Sequence, residues 1–258
     1  MGAMSNTLTL VALSGIGCIQ PGDDLGALLI TAIERAGARL GDCDVLVIAQ
    51  KIVSKAEGRI VDLARVTASP RAVALAAQCD KDPRLVELIL EESRRVVRHR
   101  PGVLIVEHRL GFVMANAGID RSNVDPGSGT EPVLLLPRDP DGAATALRAR
   151  LAAHFGAQPA VIVADSFGRA WRRGTVGIAL GAAGLPSLVD LRGRPDLFGR
   201  PLRVSETGFA DEIAAAASLL MGQADEGLPA VLVRGLVWSA PTTEAAALIR
   251  PEAEDLFR

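Results

Sequence analysis

The chain has 258 residues, 49% hydrophobic and 22% charged, which is enough apolar material for one large unit or two intimate smaller ones. A formal net charge of −2 gives no electrostatic case for nucleic acid or an anionic membrane as a partner. Cys18, Cys43 and Cys79 lack metal-site spacing and suit a reducing compartment. No apolar run approaches the roughly 20 residues that span a bilayer, and Thr7–Leu13 is too short for a secretory leader, so the expectation is a soluble cytoplasmic protein.

Residues 1–3 read as a cloning remnant, leaving 8–258 as the folding unit. Thr7–Leu13 reads as a strand and Ser14–Gly22 as a glycine-rich loop. Asp23 or Asp24 caps a helix to about Arg39, and Gly41-Asp42 ends it. Asp44–Ala49 is a buried strand leading into Gln50–Lys55, and Gly58–Leu63 is a further strand. Helices are predicted over Ser69–Gln78 and Pro83–Arg98, then a hairpin of Val103–Glu107 and Gly111–Ala115 with His108 at its tip. Asn116–Asn123 is a polar, turn-rich cluster and 126–132 a loop. A helix follows over Asp139–His154. Gly177–Ala183 is small and suited to close backbone packing, Leu185–Asp190 is another strand, and Arg192–Arg200 is a loop. Ser205–Met221 reads as a helix, Ala230–Val233 as a strand, and a last helix starts near Thr243. Strands and helices mix without clean βαβ alternation. The predicted class is therefore α+β, with mixed sheets and two interleaved lobes forming one catalytic unit.

The most informative stretch is Ala160–Thr175. An apolar run stops at Asp165-Ser166 and is followed by Gly168, Arg169, Arg172 and Arg173. A carboxylate beside a hydroxyl suits a hard divalent cation, and guanidinium groups suit phosphate or carboxylate oxygens. A capped turn with solvated arginines is the plain alternative, at even odds on local evidence. Asp120 and Asn123 form either a second polar cluster or an ordinary Asx-turn. Lysine is rare: Lys51 and Lys55 lie four apart, and Lys81 is the remaining one. The chain lacks a dinucleotide fingerprint, a P-loop, a zinc-protease motif and a nucleophile elbow, and no thiol has an evident base. What remains is carboxylate, amide, hydroxyl and ammonium chemistry on loops, the parts of a magnesium- or manganese-dependent phosphoryl-transfer site.

Six pieces in order resemble the coenzyme F420-0:L-glutamate ligase (F420 gamma-glutamyl ligase) family, in the stand-alone form. They are PGDDL (Pro21–Leu25), DVLVIAQKIVSKAEGRIV (Asp44–Val61), NAGIDRSNV (Asn116–Val124), ADSFGRAWRRG (Ala164–Gly174), ADEIAAAASLLMG (Ala210–Gly222) and PAVLVRG (Pro229–Gly235). The resemblance runs from about Leu10 to Phe257. It implies a GTP-dependent ligase that adds L-glutamate to F420-0, and further gamma-linked glutamates to F420-n, through an acyl phosphate. Mg2+ or Mn2+ assists, and K+ in some members. By matching motif, Asp120, Asp165 and Ser166 would be the catalytic metal-binding group, with Ser166 in place of the usual threonine. Gln223, standing where relatives carry glutamate, would be a further, uncharged ligand. Ile16, Gly17, Cys18 and Ile19, with Gln50, Lys51, Lys55 and Asn123, would line the nucleotide site. The loop Met221, Gly222, Gln223, Ala224, Asp225, Glu226, Gly227 and Leu228 would close it. Arg169, Arg172 and Arg173 are substrate candidates from the residues alone. The fused flavin domain of some relatives has no counterpart, so FMN is not expected, and the family implies a homodimer. The competing readings are a ligase acting on another carboxylate, and a non-catalytic nucleotide-binding protein of the same fold.

Overall fold

The structure is a computed structural model that describes residues 7–125 and 130–256. The remnant at 1–3, most of the loop at 126–132 and the end of the last predicted helix lie outside the described residues.

The central sheet has the order β1-β12-β2-β8-β9. Its strands are β1 (Thr9–Ala12), β2 (Val45–Ala49), β8 (Ala160–Arg169), β9 (Arg172–Ala183) and β12 (Ala230–Arg234). β2 and β8 run parallel, and the other neighbours are antiparallel. These strands are nearly continuous apolar runs because both faces are covered. Leu46, Ile48, Val161, Val163 and Leu232 face one core, shared with α1 (Leu25–Arg35) and α5 (Pro140–Phe155). Their alternates Val45, Val47, Ile162, Val231 and Val233 face the other, under α6 (Phe209–Met221). Small residues on β9 let the helices close in. A Cβ at Gly177 would meet the Ala214 carbonyl oxygen at 2.5 Å, and one at Gly181 would meet the Pro140 carbonyl at 2.2 Å.

A third core is built from the segment between α2 (Gln50–Ala56) and α5. It joins α3 (Pro70–Cys79) and α4 (Pro83–Glu91) to the sheet β4 (Ser93–Arg100), β5 (Val103–His108), β6 (Val113–Ala115). The pair β3 (Ile60–Asp62) and β7 (Pro132–Leu134) lies beside it. The last short pair is β10 (Val189–Asp190) with β11 (Glu206–Thr207). The class is α+β with mixed sheets. Among the described residues no helix is long and apolar enough to cross a membrane.

Several boundaries differ from expectation. Pro83–Arg98 is not one helix: α4 stops at Glu91, and Ser93–Arg100 pairs with β5, where β-branched Val96 and Val97 fit a pleated surface. α1 ends at Arg35, before Gly37 at φ +66°. The helix predicted from Ser205 begins at Phe209, since Glu206 and Thr207 are held in β11. The predicted C-terminal helix is instead two short 3-10 turns, at Ala245–Leu248 and Glu252–Glu254, separated by extended Ile249 and by Pro251. His108 ends β5 at the turn into β6, as expected, and its side chain is fully buried. Of Asp23 and Asp24, Asp24 is the cap, accepting from the Ala27 amide, and Ser69 and Asp139, read as the first residues of their helices, cap them by accepting from the Ala72 and Gly142 amides.

Candidate active site

Asp165 and Ser166 do not terminate their strand. β8 continues to Arg169, paired with β9 throughout, so Asp165 lies opposite Ile178 and Ser166 opposite Gly177. The register slips by one residue between Val163 and Ala164, a bulge of the kind that re-aims side chains at functional sites. The arginines sit at the exposed tip of the β8–β9 hairpin.

Two cavities meet at this point. The smaller, 580 Å³, is lined by Gly17, Cys18, Gln50, Lys51, Lys55, Asn123, Asp165 and Ser166, and by the loop from Met221 to Pro229. The larger, 1130 Å³, is lined by Gln50, Asp120, Asp165 and Ser166, by apolar Ile105, Phe112, Met114 and Phe167, and by Arg98, Arg100, Arg169, Arg172 and Arg250. Gln50, Asp165 and Ser166 thus belong to both walls.

The backbone explains how remote segments reach one place. Asp120 follows Asn116, Ala117 and Gly118, all in the left-handed region, and is fixed by a two-way bridge to Leu134. Asn123, also left-handed, donates from its amide to the Ala224 carbonyl at 2.9 Å. Lys55 donates to the Asn123 carbonyl at 2.6 Å. This chain of bonds ties α2, the 120–124 turn and the 222–229 loop around the smaller cavity. Lys51 pairs with Asp120 at 2.7 Å and donates to the Ser122 hydroxyl. Ser122 also donates to Asp120, from its amide at 2.8 Å and its hydroxyl at 2.7 Å.

The titration of these groups follows from the geometry. Burial pushes Asp165 up to about 6; the neighbouring Asp120 charge adds to this, while the Ser166 amide, Lys51 and Gln50 oppose it. Burial also acts against the Asp120 anion, but Lys51 and the Ser122 groups outweigh it and hold that carboxyl below its usual range. Burial lowers the Lys55 ammonium; the Cys18 thiol opposes this, and the Lys51 charge adds to it.

Most of the expected residues therefore converge, but not all. Ile16 and Ile19 point into the core, so only Gly17 and Cys18 of that loop line the cavity. Asp120 opens onto the larger cavity, and Gln223 onto the smaller. Arg169 and Arg172 line the larger cavity, whereas Arg173 accepts from Arg169 at 3.2 Å through its carbonyl and does not line it. Ser122, Arg98, Arg100, Arg250 and Asp211 were not singled out by sequence. Ser122 lay within a quoted motif, but Arg98 and Arg100 were hidden by the helical reading of β4. Among the described residues no three His, Cys, Asp or Glu side chains converge as a metal cluster. The oxygen donors present still fit a hard divalent cation: the Asp120 and Asp165 carboxylates and the Ser166 hydroxyl, with a lysine ammonium balancing Asp120.

The sequence profile of the F420-0:Gamma-glutamyl ligase family matches residues 15–235. The chain is 46% identical over 253 residues to the Coenzyme F420:L-glutamate ligase of Methanothermobacter thermautotrophicus, covering 97% of this chain and 99% of that one. It is 46% identical over 244 residues to the ligase of that name from Methanopyrus kandleri, covering 93% of each. The Archaeoglobus fulgidus ligase is 44% identical over 246 residues, or 95% of this chain and 94% of the relative. The chain belongs to the F420-0:gamma-glutamyl ligase family.

Proposed function

We propose that the protein is a GTP-dependent ligase of F420 biosynthesis, joining L-glutamate to F420-0 and then to F420-n by an acyl-phosphate route in the cytoplasm. The observation that carries this reading is the shared wall: Gln50, Asp165 and Ser166 stand between a cavity rich in backbone amides and lysines and a larger one with an apolar wall and an arginine mouth. The first suits a nucleoside triphosphate and the second a large anionic acceptor.

On this reading Lys51 and Lys55 neutralise the phosphates. The Gly17-Cys18 and 222–228 loops enclose the nucleotide, and Asn123 fixes their spacing. The acceptor carboxylate meets the γ-phosphorus at the wall. Its oxygen bonds to phosphorus as the bond to the β–γ bridging oxygen breaks and GDP leaves. The glutamate ammonium gives up one proton to solvent, the free amine nitrogen then bonds to the acyl carbon, and phosphate departs with the electron pair of the broken C–O bond and takes the second proton that the nitrogen sheds. Asp120, Asp165 and Ser166, with Gln223 from the nucleotide side, would hold Mg2+ or Mn2+, whose charge supports phosphoryl transfer. The protein otherwise acts by positioning and charge placement.

We also read the protein as a homodimer. Leu197, Phe198 and Val204 are 99%, 86% and 85% exposed on one segment between β10 and β11, apolar side chains that suit burial against a second copy of the chain.

Incubation with F420-0, L-glutamate, GTP and Mn2+, followed by mass spectrometry, tests the assignment. Glutamyl adducts that require GTP are expected. Their absence with folded protein and authentic F420-0 would refute it, and adducts only on another acid would favour a ligase of different acceptor.

A further inference from the structure

The carboxylates on the wall of the larger cavity differ in whether the protein balances them. Asp120 is paired with Lys51 at 2.7 Å, Asp165 belongs to the metal-binding group proposed above, and Asp255 makes an interaction of its own. Asp211 stands apart. It lies in the first turn of α6 and opens onto the cavity. Its Oδ1 accepts from the Ala179 amide at 2.8 Å, and among the described residues no basic side chain pairs with its charge. Burial holds this carboxyl above its usual range, and the Ala179 amide opposes the shift.

Its anchor is on β9: Ala179 pairs with Ala164 next to the bulge at Leu180, and its neighbour Ile178 pairs with Asp165. Asp211 and Asp165 line the same cavity. A partly desolvated anion without a protein cation is costly unless a ligand supplies the charge.

Resting on the ligase reading, the geometry points to Asp211 as the seat of the α-ammonium of the incoming amino acid. L-Glutamate carries two carboxylates and one ammonium. The arginines at the mouth, Arg98, Arg100, Arg172 and Arg250, suit the carboxylates, and Asp211 is the unpaired anion that suits the ammonium. This seats the nitrogen in the cavity that the wall borders, and it selects an amino acid over a plain dicarboxylate. An acid in a first helical turn also favours the helix dipole, and the Ala179 bond ties α6 to β9. Those structural contributions do not depend on glutamate, so the two roles separate experimentally.

The variant D211N keeps the acceptor for Ala179 and removes the charge, and D211S is a second neutral replacement should D211N not fold. Three quantities are read with F420-0 as acceptor: KM for L-glutamate, KM for GTP, and inhibition by glutarate, which lacks the amino group. Loss of a charge-assisted bond predicts a rise of about 10- to 100-fold in KM for L-glutamate, with KM for GTP unchanged. The preference of the wild type for L-glutamate over glutarate falls by a similar factor. Calorimetric titration of L-glutamate into the GDP-bound protein reads the same subsite without turnover. Wild-type glutamate affinity and undiminished discrimination in a folded neutral variant overturn the inference. Failure of the wild type to form any adduct instead overturns the ligase reading, and the titration then decides Asp211 by itself.

Discussion

Asp165 is held in a surrounding that opposes its charge, with its carboxyl raised to about 6 by burial and by the field of Asp120. A group whose folded pKa exceeds its unfolded value costs stability once it ionises in the native state. That cost grows as pH rises from about 4 to about 6 and is complete above it. Asp165→Asn is therefore expected to raise the unfolding free energy by about 2–3 kcal/mol at neutral pH and to have little effect near pH 3. The same change should abolish ligation, because a charged oxygen is lost from the wall between the cavities. Thermal melts across pH, run beside turnover assays, check both; a D165N protein that is active, or less stable at pH 7, contradicts this account. Lys55 lines the smaller cavity and bonds the Asn123 carbonyl. Lys55→Ala should raise KM for GTP about tenfold, the value of one charge-assisted phosphate contact, and leave KM for F420-0 nearly unchanged.

At the scale of elements, the turn after α4 is a junction. Glu92 accepts from Arg59 at 2.7 Å and from Arg109 at 2.9 Å, while buried His108 approaches it at 3.4 Å outside good hydrogen-bond geometry. Burial pushes the Glu92 carboxyl up, but these donors prevail and bring it from 4.5 to about 2. Its stabilisation is therefore complete above about pH 4.5 and is lost as pH falls through about 2. Glu92→Gln should cost about 2–3 kcal/mol at pH 7, with the difference from wild type shrinking in acid. Denaturant titrations at pH 7 and pH 2.5 measure it, and a pH-independent difference would argue against the ionic junction. The junction was not legible in the sequence, because Glu92 and Arg94–Arg95 continue the charge spacing of a helical face. Only tertiary pairing with β5 shows that the chain has become a strand. The doubly covered strands β2, β8 and β12 and the capped starts of α1, α3 and α5 were legible, since apolar runs and Asp or Ser caps are local signals. At the site, Asp165-Ser166 was visible as a break in apolarity, but its place within a continuing hairpin was not. Asp211 read as one acid of a helix expected to start at Ser205, and only the later start at Phe209 puts it in the first turn. Its bond to Ala179 is a tertiary contact with β9 that no local pattern announces.

At the scale of the molecule, the exposed apolar residues between β10 and β11 suit a second copy of the chain. Placing glutamate at both Leu197 and Phe198 is expected to convert a dimer to monomer in light scattering after gel filtration; a wild-type monomer at micromolar concentration would refute the assembly. The central claim concerns how the two cavities cooperate: the acceptor carboxylate meets the γ-phosphoryl group across Gln50, Asp165 and Ser166. Labelling both oxygens of the acceptor carboxylate of F420-0 with 18O tests this most directly, with mass analysis of the inorganic phosphate released. The account predicts one 18O atom in phosphate for the first glutamate added to F420-0, unlabelled phosphate from any later addition, and no transfer with D165N. Monoglutamyl product accompanied only by unlabelled phosphate would contradict it.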